Sequence, residues 1–378
     1  MRSRLFLAAP LLLTALGAGA QPGPPPVTLE LLSEYDIPGG ARFESTCIGG
    51  LSALAYDPPS DRYFAVSDAR RDARLYSLRI AIAEAGAGGE SAGPHIAGVE
   101  LEGVVRLRTR EGLAYPDDRV DPEGLAIYDQ QTAFLSSEGV AEGGVAPFVD
   151  RVDLATGEWL ATVSIPLAFR PRHQGETQTQ GVRQNLGFEA LTLSPDRRHL
   201  YVASESALAQ DAAGLAVGVE HFARLLRYEV GQVPRLVGES LYPLVVPAGD
   251  VKVQGLVELL ALDDAGRLLA MERTWGPTAG LAVQLYEIHL ERTRRQADRS
   301  RLSSEAKALP VLDKRLILDF AQLPILLDNF EGLTFGPRLE GGDETLLVIG
   351  DNDNTECAPP QRLQQLRPTK FLLFRLRR

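Results

Sequence analysis

Cysteine, methionine and tryptophan occur only twice each in 378 residues, and histidine five times. Neither cysteine sits in the C-x-x-C spacing of zinc or redox chemistry, and His95, His173, His199, His221 and His289 show no ligand spacing; they read as surface or turn residues. Lysine is scarce, and 39 basic residues against 50 acidic ones leave a formal charge of −11, which argues against a nucleic-acid partner. Aromatic residues reach only 7%, and after the first twenty residues no apolar run approaches the length of a membrane span. A G-x-S-x-G nucleophile elbow is missing, and Gly86-Ala87-Gly88-Gly89 opens no evident helix that could cradle a phosphate. What the chain has in quantity is glycine (36) and proline (25), about one residue in six, a composition of short strands and turns rather than of a helical bundle. With 44% hydrophobic and 24% charged residues it is globular, neither disordered nor collagen-like.

Residues 1–20 have the form of a secretory signal: Arg2 and Arg4, an apolar run from Leu5 to Leu16, and Ala18-Gly19-Ala20 as the small-residue cleavage site. The mature domain is then expected over residues 27–378, exported to a periplasmic or extracellular compartment, with no transmembrane segment once the signal is removed. In that oxidising setting Cys47 and Cys357, near opposite ends of the mature chain, can form one disulfide that staples the termini, the alternative being two unpaired thiols. The chain is expected to be a monomer.

Internal repetition organises the rest. Gly49-Gly50-Leu51-Ser52-Ala53-Leu54, Asp121-Pro122-Glu123-Gly124-Leu125, Gly187-Phe188-Glu189-Ala190-Leu191, Val257-Glu258-Leu259-Leu260 and Asn329-Phe330-Glu331-Gly332-Leu333 share one pattern. Anchored on Ser52, Glu123, Glu189, Glu258 and Glu331, they recur at intervals of 71, 66, 69 and 73 residues. A turn rich in Asp, Pro and Gly follows each, then a second apolar strand ending in Asp68, Glu138, Glu205, Glu272 or Asp351. A third strand with period-2 alternation follows in every unit, and a fourth in the first four (Val99–Leu107, Trp159–Ile165, Arg235–Tyr242, Arg315–Phe320). The fifth unit lacks its fourth strand, while Val27–Tyr35 precedes the first unit without a partner. The predicted fold is all-β: a β-propeller of five four-stranded blades, its last blade closed by the N-terminal strand. Six blades remain the alternative if Gly86–Glu111 or Arg292–Leu312 hides further strands, although Arg292–Leu312 is charged and polar and reads as a surface loop.

In a propeller the first strands line the channel, so Glu123, Glu189, Glu258 and Glu331, with Ser52 as fifth member, are expected on one ring. Asp68, Glu138, Glu205, Glu272 and Asp351 return to the same mouth on the antiparallel second strands. Nine carboxylates at one opening call for a counter-charge, and calcium, with its six to eight oxygen ligands, is the natural one; Asp351-Asn352-Asp353-Asn354 could add further oxygens. The competing reading is purely structural: the acids accept hydrogen bonds from loop amides or from Arg42, Arg70, Arg151, Arg183 and Arg273.

At these motifs, together with Gly350-Asp351-Asn352-Asp353 and Pro368-Thr369-Lys370-Phe371, the sequence resembles the phytase-like family, "esterase-like activity of phytase", over nearly the whole mature chain. The resemblance implies a propeller with recurrent Glu and Asp residues and a phosphoester-hydrolysing activity on phytate or a phosphodiester. Glu189-Ala190 and Glu258-Leu259 replace the commoner Glu-Gly step, and the fourth unit is the most divergent. Three functions are carried forward. The first is a calcium-dependent phosphoester hydrolase in which Glu123, Glu189 and Glu331 supply the catalytic carboxylates. The second is a calcium-dependent lactonase or carboxyl esterase using the same polarising step, and the third an exported binding or scaffold propeller without catalysis.

Overall fold

The computed structural model describes residues 25–84, 93–211, 218–294, 302–353 and 366–378. The signal-like segment 1–20 and Cys357 lie outside them. Five inner strands, Leu51–Asp57, Pro122–Ile127, Phe188–Leu193, Val253–Ala261 and Asn329–Phe335, each pack against the next, and the fifth packs against the first. Being covered on both faces, they are almost entirely buried, as their near-continuous apolar composition requires. Outward from each runs an antiparallel meander, so that all but four of the described strands, which form two short hairpins (Arg42–Phe43 with Thr46–Cys47 and Arg172–Gln174 with Thr177–Gln180), fall into five four-stranded groups around a central channel, the architecture of a β-propeller.

The second strands are Arg62–Ser67, Thr132–Ser137, His199–Ser204, Arg267–Gly276 and Glu344–Asp351; the third are Arg74–Ala83, Phe148–Asp153, Glu220–Glu229, Gly280–Arg294 and Thr369–Arg377. His95–Arg106, Trp159–Thr162, Arg235–Val245 and Val311–Asp319 complete the first four groups. The fifth is completed by the N-terminal strand Thr28–Ile37, which pairs antiparallel with Thr369–Arg377 as the strand deficit at the two chain ends predicts. The core lies between neighbouring groups: Leu54, Tyr63 and Tyr76 pack on Leu347, Ile349 and Phe371, and Val66 and Leu75 on Leu125, Leu135 and Val152.

Two local expectations are corrected. The Arg292–Leu312 connection is not wholly a surface loop, because Leu302 and Ala306 are buried with Phe222 and Leu241 around a single-turn 3-10 helix, Ala306–Ala308. These apolar residues seal the seam where Leu241 and Val311 join the outer strands of the third and fourth groups by one parallel bridge. His221 is not a surface residue either. It lies inside the third strand of the third group, 7% exposed, where sheet alternation turns it inward.

Candidate metal centre at the channel mouth

Every inner strand carries a bulge against its second strand. The register slips between Leu51 and Ala53, Pro122 and Leu125, Phe188 and Leu191, Leu256 and Glu258, and Phe330 and Gly332. A bulge sets two residues against one and re-aims the extra side chain; the inserted residues are Ser52, Glu123, Glu189, Val257 and Glu331. Glu123, Glu189 and Glu331 line the mouth. The residue after each is small in four groups because the inner strands come close there: a Cβ at Gly124 would lie 2.6 Å from Leu191 Cβ, and one at Gly332 would lie 3.1 Å from Ala53 Cα.

The pairs flanking the bulges, Leu51 with Ser67, Phe188 with Ser204, Leu256 with Glu272 and Phe330 with Gly350, fix what comes next on the second strands: Asp68, Glu205, Arg273 and Asp351, with Glu138 at the same place in the second group. Backbone amides hold this outer ring. Asp68 donates to Gly50 O at 2.8 Å, Glu138 to Asp121 O at 3.0 Å and Glu205 to Gly187 O at 2.6 Å.

The mouth opens into a cavity of about 430 Å³ lined by Asp68, Asp121, Glu123, Glu189, Glu331 and Asp351, with Arg70, Arg71, Asp118, Asn185, Arg273 and Asp353 around them. Glu138 and Glu205 do not line it but stand next to residues that do. Carboxylate oxygens of Asp121, Glu123 and Glu138 lie within 4.8 Å of one another, and so do those of Glu138, Glu189 and Glu205. The sequence reading therefore placed seven of its nine acids in or directly behind this mouth.

The other two do not reach it. Glu258 is one position past the bulge, and its carboxylate accepts from the amides of Leu259 at 2.8 Å and Leu191 at 3.4 Å inside the channel. Glu272 accepts from Tyr242 Oη at 2.6 Å and pairs with Lys314 away from the mouth. Their ring positions are held by Val257 and Arg273. Ser52 is buried and its hydroxyl has no partner among the described residues. Asp121, Asp118 and Asn185 were not singled out from sequence; Asp121 was legible, since Asp121-Pro122-Glu123 sets two acids two apart, on one face of an extended chain.

Arginines answer part of this charge. Arg70 binds Asp121 and Asn185. Arg273 binds Glu331, reaches Glu205 at 3.2 Å and donates to Asn329 Oδ1 at 2.9 Å. Burial, then repulsion from Glu189, Asp121, Asp68 and Glu138, holds the Glu123 carboxyl well above its ordinary range. Burial also leads for Glu138 and Glu189, each further raised by Glu205, and for Asp68, further raised by Asp351. The Asp351 carboxyl is pushed up to about 7 by burial and by Asp353.

The residues present fit a cation. Asp68 Oδ1 and Glu205 Oε2 are buried with no hydrogen-bond partner among the described residues, and no described hydrogen bond reaches the buried Glu123 and Glu189 carboxylates. Buried acceptors without donors are costly, and an all-oxygen set suits a hard divalent ion. These acidic clusters can hold a metal ion.

Fold and mouth together define a β-propeller with an acid-lined central site. The chain belongs to the phytase-like family, whose model, "Esterase-like activity of phytase", matches residues 46–354. No curated protein matches it. Among solved structures it is similar to an endo-arabinase from Bacteroides thetaiotaomicron at 12% identity, covering 86% of this chain and 96% of that one with a TM-score of 0.40. The Malassezia sympodialis allergen Mala s 1 matches at 10% identity over 91% and 96% of the two chains, TM-score 0.41. The Dos1 propeller matches at 8% over 86% and 68%, TM-score 0.35. Likeness at this level concerns the fold alone. No described helix is long and apolar enough to cross a membrane.

Proposed function

We propose that this protein is an exported, calcium-dependent phosphoester hydrolase acting on phytate or a phosphodiester at the channel mouth. One observation carries the reading: buried carboxylates that accept no hydrogen bond, Glu123 and Glu189, share a cavity with Arg70, Arg71 and Arg273. Carboxylates alone would repel an anionic ester, whereas acids that hold a cation beside arginines favour one. Asp68, Asp121, Glu123, Glu138, Glu189 and Glu205 are the residues that would hold calcium. When bound, the ion neutralises phosphate charge and lowers the pKa of a coordinated water.

The chain's own groups do the rest. Arg70 and Arg71 on the cavity wall orient the anionic ester. Glu331, fixed by Arg273 and by Asn329 Nδ2 at 3.0 Å, keeps one carboxylate in place on the cavity wall. Asp351, with its carboxyl near 7, can accept a proton at neutral pH, a role the sequence reading gave to Glu123, Glu189 or Glu331.

The test is calorimetric titration of calcium into the chelator-dialysed protein, followed by assays on bis-p-nitrophenyl phosphate, phytate and an uncharged lactone. Phosphoester turnover that needs calcium supports the reading. Turnover of the lactone alone would replace it with a carboxyl-ester hydrolase. Failure to bind calcium would leave a binding or scaffold propeller.

A further inference from the structure

We infer that the mouth is built for a pair of divalent cations sharing Glu138: an outer one among Asp121, Glu123 and Glu138, and an inner one among Glu138, Glu189 and Glu205. This rests on the cation-binding reading of the same mouth and makes it more specific.

Geometry comes first. A calcium ion with bonds of about 2.4 Å holds ligands on its opposite sides about 4.8 Å apart. Both triads keep their oxygens within that span, 4.8 Å. Glu138 belongs to each and is the contact between them. Its Oε1 already accepts from the Gly187 amide at 2.5 Å, which anchors the carboxylate of the second group against the start of the third.

Unanswered acceptors come second, and they occur in both triads. Glu205 is fully buried, its Oε1 taken by Arg273 at 3.2 Å and its Oε2 by nothing among the described residues. Glu189 (6% exposed) in the inner triad and Glu123 (8%) in the outer one accept no described hydrogen bond.

Exposure separates the two positions. Asp121 and Glu123 line the cavity, so the outer cation meets substrate. Of the inner triad only Glu189 lines the cavity while Glu138 and Glu205 lie behind it, so the inner cation sits deeper. It ties the second strand of the second group to both inner positions of the third, and it exchanges more slowly.

The experiment is calcium titration of the chelator-dialysed full chain with two readouts that need no turnover: calorimetric stoichiometry, and the electron paramagnetic resonance spectrum after manganese loading. The wild type is expected to take up two ions and to show a spin-coupled manganese pair. Glu205→Gln is expected to leave one ion bound, and Glu138→Gln to weaken both sites by about tenfold or more. One ion in the wild type with an isolated six-line manganese spectrum overturns the pair while leaving the calcium reading intact. No ion overturns both. Should Glu205→Gln fail to fold, the wild-type spectrum decides alone.

Discussion

Leu256 and Glu272 face each other across the first two strands of the fourth group, as Phe188 and Ser204 do in the third. That pairing moves the ring by one residue, so the fourth group brings Val257 and Arg273 where its neighbours bring Glu189 and Glu205, and Glu331 and Asp351. The mouth is therefore asymmetric, with most of its acid on the second and third groups and the Arg273 guanidinium fixed between Glu205 of the third group and Glu331 of the fifth.

Glu272→Gln is accordingly expected to leave calcium affinity within about twofold, while Glu189→Gln lowers it by about tenfold or more. Calorimetry on the two proteins, with circular dichroism to confirm the β-fold, is the check. A large effect from Glu272→Gln would contradict the register.

Glu258 serves the fold rather than the mouth. Its buried carboxylate collects the amides of Leu259 and Leu191, joining two inner strands. Glu258→Ala leaves these donors unanswered in the channel and is expected to cost about 2–4 kcal/mol in urea unfolding, with Glu258→Gln recovering part of it. Unaltered stability in the alanine variant would remove this role.

His221 sets an acid limit. Burial, then Arg183 and Lys314, lowers its pKa to about 4 from the ordinary 6.5, and neither ring nitrogen has a partner among the described residues. Between those values the unfolded chain binds the proton and the folded one does not. Stability is thus complete above pH 6.5 and falls as pH drops toward 4, by about 3 kcal/mol at most. Chemical denaturation from pH 7.5 to 4.5 should show a shallower decline in His221→Gln than in the wild type. Parallel curves would exclude the residue as the cause.

Cys47 is buried beside the start of the first inner strand, and Cys357 lies outside the described residues. If the two are joined, Cys47→Ser should lower stability by about 2–4 kcal/mol. Two thiols titrating in the unfolded, unreduced protein would rule out the bridge.

The repeat was legible because each group needs the same apolar run, turn and second strand, and because a strand missing at one end and spare at the other has one economical solution. The acids were legible as a set for the same reason. Their register in the fourth group was not. Val257-Glu258 offers an acid next to the correct position, and only the pairing of Leu256 with Glu272 shows which residue the bulge inserts. Arg273 was legible as a candidate counter-charge but not as a ring member, since the second strand runs on to Gly276 instead of ending at an acid. The burial of His221 and Leu302 depends on neighbours distant in sequence, which no local pattern reports.

The N-terminal strand that completes the fifth group has a consequence for how the molecule comes into being. Lys370 reaches Asp36 across 334 residues of chain, and Thr28–Ile37 has no sheet to join until Thr369–Arg377 exists. A nascent chain must therefore carry its first strand unpaired until its last residues emerge, so ring closure is a late and slow event. Losing either tip would open an edge on the fifth group and unmake the circle rather than shorten it.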